Sequence, residues 1–233
     1  MNYSEVIDLL KSKQNEQGVK KWNNSKSAAS NLESFGIGLT ILRKLAKQIG
    51  RDHDLAQELW KSDFYDAKII ALLIDDPKQI TRLQAEMQVE NVNHGHLAHV
   101  FCSCGAALAK TPFVVDLMVD WMNSKDTIRR YCGYGLLYEL SKSKKKTTPD
   151  DRFFLEWIER IRISFFNEHR MVQVSMGGAL LGIGKRNAIL NVAALKVARI
   201  IGPIQIESDS SKCDPFDVVK HLTSDYIRQK LGL

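Results

Sequence analysis

Long apolar runs are missing from this chain. None reaches the ~18 residues that a membrane-crossing helix needs. Residues Met1-Asn2-Tyr3-Ser4-Glu5 offer neither a basic nor an apolar leader region, so no secretory peptide is expected there. Strand-like alternation is absent except for one short candidate, Pro203-Ile204-Gln205-Ile206. The four cysteines, Cys102, Cys104, Cys132 and Cys213, are irregularly spaced. That pattern argues against a disulfide framework and for free thiols in a reducing, cytoplasmic setting. No nucleophile–base pair, Rossmann fingerprint or kinase motif is visible. The run Gly177-Gly178 to Gly184-Lys185-Arg186 superficially resembles a phosphate loop. Ala179 stands where the first glycine is needed, and Arg186 where Ser or Thr must follow the lysine, so it is not one.

What is present is helical periodicity over nearly the whole length. Hydrophobic residues make up 44% of the 233, enough for a real core. Ser4 is placed to cap a first helix carrying Val6, Ile7, Leu9 and Leu10. Gly36 and Gly38 precede an apolar stripe of Leu39, Ile41, Leu42, Leu45 and Ala46, which Gly50 closes. Pro77, Pro112 and Pro149 each mark a helix start. Residues 188–201 read as a further helix. Pro215 precedes a last amphipathic helix with Val218, Val219, Leu222, Tyr226 and Leu231. No linker divides the chain. A single all-α domain spanning residues 1–233 is expected, laid out as a curved solenoid of antiparallel helix pairs.

One pattern recurs. A helix ends in an aromatic, a short polar break follows, and the next helix begins with a basic or amide residue. It reads Glu58-Leu59-Trp60, Ser62-Asp63, then Lys68. It returns as Asp120-Trp121-Met122, Ser124-Lys125-Asp126, then Arg129-Arg130. A looser copy is Ser164-Phe165-Phe166, Asn167-Glu168-His169, then Gln173. Stacked pairs of this kind build a solenoid, and cations along one face of it would cradle a nucleic acid. The formal charge of +6 favours an anionic partner, though only weakly.

Taken together these stretches resemble the DNA alkylation repair family, the AlkD-like glycosylases built from HEAT-like helical repeats. The likeness is carried by Phe35-Gly36-Ile37-Gly38 leading into Leu42-Arg43-Lys44-Leu45-Ala46-Lys47, by Glu58-Leu59-Trp60 with Ala67 beyond, and by residues 121–130. It extends over residues 32–201. The resemblance implies a monomer that grips duplex DNA, damaged or unusual in shape, on a basic concave face and needs no cofactor. It also implies a carboxylate that stabilises the oxocarbenium left by glycosidic cleavage, indole rings that favour a cationic lesion, and an arginine on a phosphate. The arginine matches Arg130, with Arg129 beside it. The carboxylate position falls at Asn93, which is neutral. The two tryptophan positions fall at Val89 and Gly178, which offer no π face. A DNA-gripping scaffold with its base-excision residues largely missing is thus expected. Two alternatives stay open: an active glycosylase with Glu90 as a displaced carboxylate, and a helical scaffold for protein partners.

The remaining DNA-contact candidates are Lys144 and Lys145, in the run Lys142-Ser143-Lys144-Lys145-Lys146, and Lys185 and Arg186 at a helix end. For Arg129 and Arg130 the simplest alternative to a phosphate is a surface salt bridge to Asp126 or Glu139. His94 and His96 are expected to line the cleft with Val89 and Gly178. The His94-Gly95-His96-Leu97-Ala98-His99-Val100-Phe101-Cys102-Ser103-Cys104 segment holds residue types that zinc accepts, but in no established zinc spacing, so no metal is expected. Trp60, Trp121 and Trp157 lie in apolar stripes and read as core; Trp22 sits in a polar setting without an evident role.

Overall fold

Most helices here begin where a polar side chain accepts from one of the first amides, whereas those starting at Leu39, Tyr65, Leu97 and Asp225 do so without such a cap. In the computed structural model, which describes residues 1–25, 31–92, 95–206 and 214–233, the first helix α1 (Tyr3–Ser12) is capped by Asn2, not Ser4. Asn2 accepts from the Glu5 amide while the Glu5 carboxylate accepts from the Asn2 amide, a reciprocal capping box. Asn15 caps α2 (Glu16–Asn23). The apolar stripe becomes α3 (Leu39–Ile49), and Gly50 ends it at φ +83°, a backbone state that favours glycine. Then follow α4 (His53–Trp60), α5 (Tyr65–Ile74), α6 (Arg82–Val89) and α7 (Leu97–Cys102). Thr81 starts α6 after a turn containing Pro77. These elements form one unit, Met1–Val114.

The second unit is Val115–Leu233. It takes in α8 (Val114–Met122) from its second residue on, then α9 (Thr127–Lys142), α10 (Asp151–Ser164), α11 (Arg170–Gly184) and α12 (Ala188–Ile201). The helix expected after Pro215 is instead two, α13 (Val218–Leu222) and α14 (Asp225–Leu231). The break lies at two hydroxyls that turn back onto the preceding turn. Thr223 Oγ1 donates to the Val219 carbonyl, and Ser224 Oγ donates to that of His221. Among the described residues there is no strand. The 203–206 candidate reduces to an isolated bridge, Ile204 pairing with Phe216. No helix is long and apolar enough to cross a membrane among the described residues.

Packing is pairwise within each unit. In the first, α4 and α3 lie against α5. In the second, α11 packs on α9 and α12, and α12 on α10. The glycines of α11 explain the close fit. A Cβ on Gly182 would stand 2.4 Å from Ser141 Oγ on α9, and one on Gly184 would meet Leu222 of α13 at 2.7 Å. Trp121 and Trp157 are buried core, while Trp60 is half-buried. Cys102 and Cys132 are also buried, as small apolar groups commonly are.

The residues before α3 are stitched to the start of α5. The Glu33 amide donates to the Asp63 carbonyl, and the Tyr65 amide to that of Glu33. Asp66, 0% exposed, accepts from Ser34 Oγ and the Phe35 amide on one oxygen and from the Ile37 amide on the other. Burial raises the Asp66 carboxyl above its usual range, and those hydrogen bonds pull it back. Trp22 has a role after all: its indole donates to the Leu32 carbonyl, and the ring rests on Tyr65.

Candidate nucleic-acid interface

The recurring pattern of aromatic, polar break and basic or amide residue has one structural meaning in all three copies. The final carbonyls of a helix lack intrahelical partners. Lys68 of α5 turns back and donates to the carbonyl of Trp60, the last residue of α4, with its ammonium 4.8 Å from the indole centroid. Burial lowers the Lys68 pKa, partly offset by Asp63. Arg130 of α9 donates through Nη1 to the carbonyls of Ser124 (3.0 Å) and Lys125 (2.7 Å) in the turn after α8. Gln173 of α11 donates to the Phe165 carbonyl beyond α10 at 2.9 Å. Each of these side chains thus closes the turn that precedes its own helix.

Arg130 is further engaged. Its Nε donates to both oxygens of Glu168 at 3.1 Å. Both side chains are largely covered, at 18% and 14% exposure. The carboxylate that Arg130 meets is therefore neither Asp126 nor Glu139 but one from the turn before α11. Asp126 caps α9, and Glu139 pairs with Lys142. The Arg129 amide donates to that Asp126 cap at 2.8 Å.

The basic residues near the ends of α9 and α11 do come together. Lys142, Lys144, Lys185 and Arg186 line a pocket of about 680 Å³ with Lys230 of α14, beside Asp151, Asn187 and Tyr226. Arg186 forms one wall. Its Nη1 donates to the Ser141 and Ser143 carbonyls at 3.0 and 2.8 Å, and its guanidinium lies 4.9 Å from the Phe154 centroid. Asp151 stands 3.7 Å from Arg186 Nε and accepts from Asn187 at 2.7 Å. Lys230 reaches over to the Lys185 carbonyl at 3.2 Å. Burial lowers the Lys185 pKa, and the charge of Lys230 pushes it the same way. Lys145 is exposed in the adjoining loop but does not line the pocket.

The other candidates do not gather there. Val89 is 2% exposed and faces the interior of its unit. Glu90 follows it as the exposed C-cap of α6. Asn93 and His94 lie outside the described residues. His96 is exposed and its amide donates to the Tyr65 hydroxyl at 3.0 Å. His99 Nε2 lies 2.7 Å from Cys104 Sγ. No group of three or more His, Cys, Asp or Glu is placed to hold a metal among the described residues. A Cβ on Gly178 would meet nothing within 4 Å, unlike one on Gly177, Gly182 or Gly184. Open space at a mid-helix glycine predicts that Gly178→Ala raises the unfolding free energy by roughly 0.5–1 kcal/mol. Thermal or urea denaturation checks it, and a lower melting temperature would show that the site is not open.

Two contributors to the pocket, Tyr226 and Lys230, carry no mark of a site in the sequence. They lie some 40 residues beyond Lys185, and only the docking of α14 brings them to it.

An all-α protein of packed helix pairs, with cations gathered at helix ends, is the class these features define. The chain belongs to the DNA alkylation repair enzyme family, whose model matches residues 6–202. Its fold is that of a solved structure described as "a new family of proteins related to the HEAT-like repeat DNA glycosylases with affinity for branched DNA structures". The two agree with a TM-score of 0.81 at 19% identity, over 100% of this chain and 97% of that one. The uncharacterized protein Lin0241 of Listeria innocua serovar 6a (strain ATCC BAA-680 / CLIP 11262) is 19% identical over 225 residues, covering 95% of this chain and 96% of its own.

Proposed function

We propose that this protein binds duplex DNA, including DNA of branched or otherwise unusual shape, through the cations of its second unit, and that it lacks the family's base-excision chemistry. The observation that carries the reading is the pocket: Lys142, Lys144, Lys185, Arg186 and Lys230 against the carboxylate of Asp151. Cations held together at one another's expense suit a polyanion, which releases counterions when its phosphates are neutralised. The family match and the branched-DNA affinity of the structural neighbour support the same partner.

The case against excision is chemical. Asn93 offers no anion to an oxocarbenium. Glu90, exposed at a helix end, is screened by water and acts far more weakly there than a carboxylate in a dry, preorganised site.

A salt titration of duplex and four-way-branched DNA binding tests the reading. The slope of log K against log salt should be steep for the native chain. It should fall by about two in a Lys144→Ala/Lys185→Ala variant, with affinity at least about tenfold weaker. Absence of DNA binding at low salt would refute it and favour a protein-binding scaffold. Base release from a cationic methylated purine duplex, abolished by Glu90→Gln, would establish an active glycosylase instead.

A further inference from the structure

We infer that the pocket between α9, α11 and α14 holds an unpaired nucleotide, its base stacked on Tyr226 and its phosphates on the surrounding cations; this rests on the DNA-binding reading and narrows it. Tyr226 is 72% exposed, an unusual position for so large a ring, and it lines the same pocket as Lys185, Arg186 and Lys230. Its neighbour Ile227 is buried, so the helix turns the aromatic outward while anchoring it from below. Lys230, one turn further along α14, fixes that helix to the end of α11 through the Lys185 carbonyl. The ring is therefore presented from a docked helix, which cuts the ordering cost of binding.

An aromatic face beside cations is how single-stranded nucleic acid is held: bases stack on the ring while the backbone follows the charge. A base inside a duplex has both faces occupied by its neighbours, so Tyr226 suits an unpaired base, which can also turn its face to the ring away from a duplex end. At about 680 Å³ the pocket falls within the ~300–1,000 Å³ range of small-molecule sites, so it has room for a nucleotide. Asp151 does not oppose the phosphates strongly, because Asn187 and Arg186 already engage it against the wall. Unpaired nucleotides occur at flaps, junctions and strand ends, so such a pocket would add a preference for irregular DNA to a charge-driven affinity for any duplex.

The test compares a blunt duplex with the same duplex carrying a short single-stranded thymidine overhang, at one salt concentration. The native protein should bind the overhang DNA about tenfold more tightly. Tyr226→Ala should abolish that advantage, bringing overhang and blunt-duplex affinities level within the same variant, and Tyr226→Phe, which keeps the ring, should retain it. Equal affinity of the native protein for the two DNAs would overturn the inference, as would an overhang preference that survives Tyr226→Ala. If Lys144→Ala/Lys185→Ala still weakens blunt-duplex binding in either case, the charge-driven reading stands and only the nucleotide pocket falls. Binding of neither DNA at low salt removes both. Tyr226 is exposed, so its variants should melt with the native protein, and a melting curve confirms that they are folded.

Discussion

Replacing Asp66 by alanine is expected to lower the unfolding free energy by about 3–5 kcal/mol, the sum of two or three buried groups left without partners at ~1–3 kcal/mol each. The carboxylate is the acceptor for the Phe35 and Ile37 amides and for Ser34 Oγ, and no water can replace it where Phe35 and Ile37 are buried. Asparagine should rescue only part of the loss. It keeps one acceptor oxygen but turns an NH₂ toward a donor on the other side, since both carboxylate oxygens accept in the native chain. Urea denaturation followed by tryptophan fluorescence is a suitable readout, because Trp22 is bonded to the same segment at Leu32. A loss below ~1 kcal/mol would show that the 33–37 segment is held by its other contacts, among them the pairing of Glu33 with Asp63 and Tyr65.

Arg130→Ala should cost about 2–4 kcal/mol of stability, because it strands Glu168 with its charge largely covered and leaves the Ser124 and Lys125 carbonyls without their donor. The family resemblance makes this arginine a phosphate contact, with a binding loss of roughly 1–3 kcal/mol on truncation. Its geometry gives it first to the fold. Glu168→Gln separates the two roles. It removes the competing anion, so DNA affinity rises if Arg130 is a phosphate contact, whereas stability falls if the pair is a brace. A double-mutant cycle of Arg130→Ala with Glu168→Gln should return a favourable coupling energy. A stable Arg130→Ala protein with weakened DNA binding would restore the phosphate assignment.

Helices are legible in the sequence because their signals are local. Gly50, Asp150 after Pro149, and Asn187 before residues 188–201 each act within one turn of the position they control. The first cap is Asn2 rather than Ser4 because Glu5 completes a capping box with Asn2, a competition decided by two residues of offset. Lys144, Lys185 and Arg186 are likewise legible, since runs of cations are visible one-dimensionally. Tyr226 shows only as part of an amphipathic stripe, and its outward turn depends on where α14 docks. Asp66 is hidden for the same reason: its partners lie about 30 residues away, and nothing in its own neighbourhood marks it as buried.

The closing of each helix turn by the side chain that follows it bears on why this array is so hard to read as a repeat. The acceptor in every copy is a main-chain oxygen, which is chemically the same whatever residue carries it. It asks only for a donor of sufficient reach, and an ammonium, a guanidinium and a primary amide all supply one, as Lys68, Arg130 and Gln173 do. Spelling is thus free to drift while the geometry stays fixed. Two such chains can share a fold almost end to end and still agree at only a fifth of their letters, because the common grammar is written in the backbone.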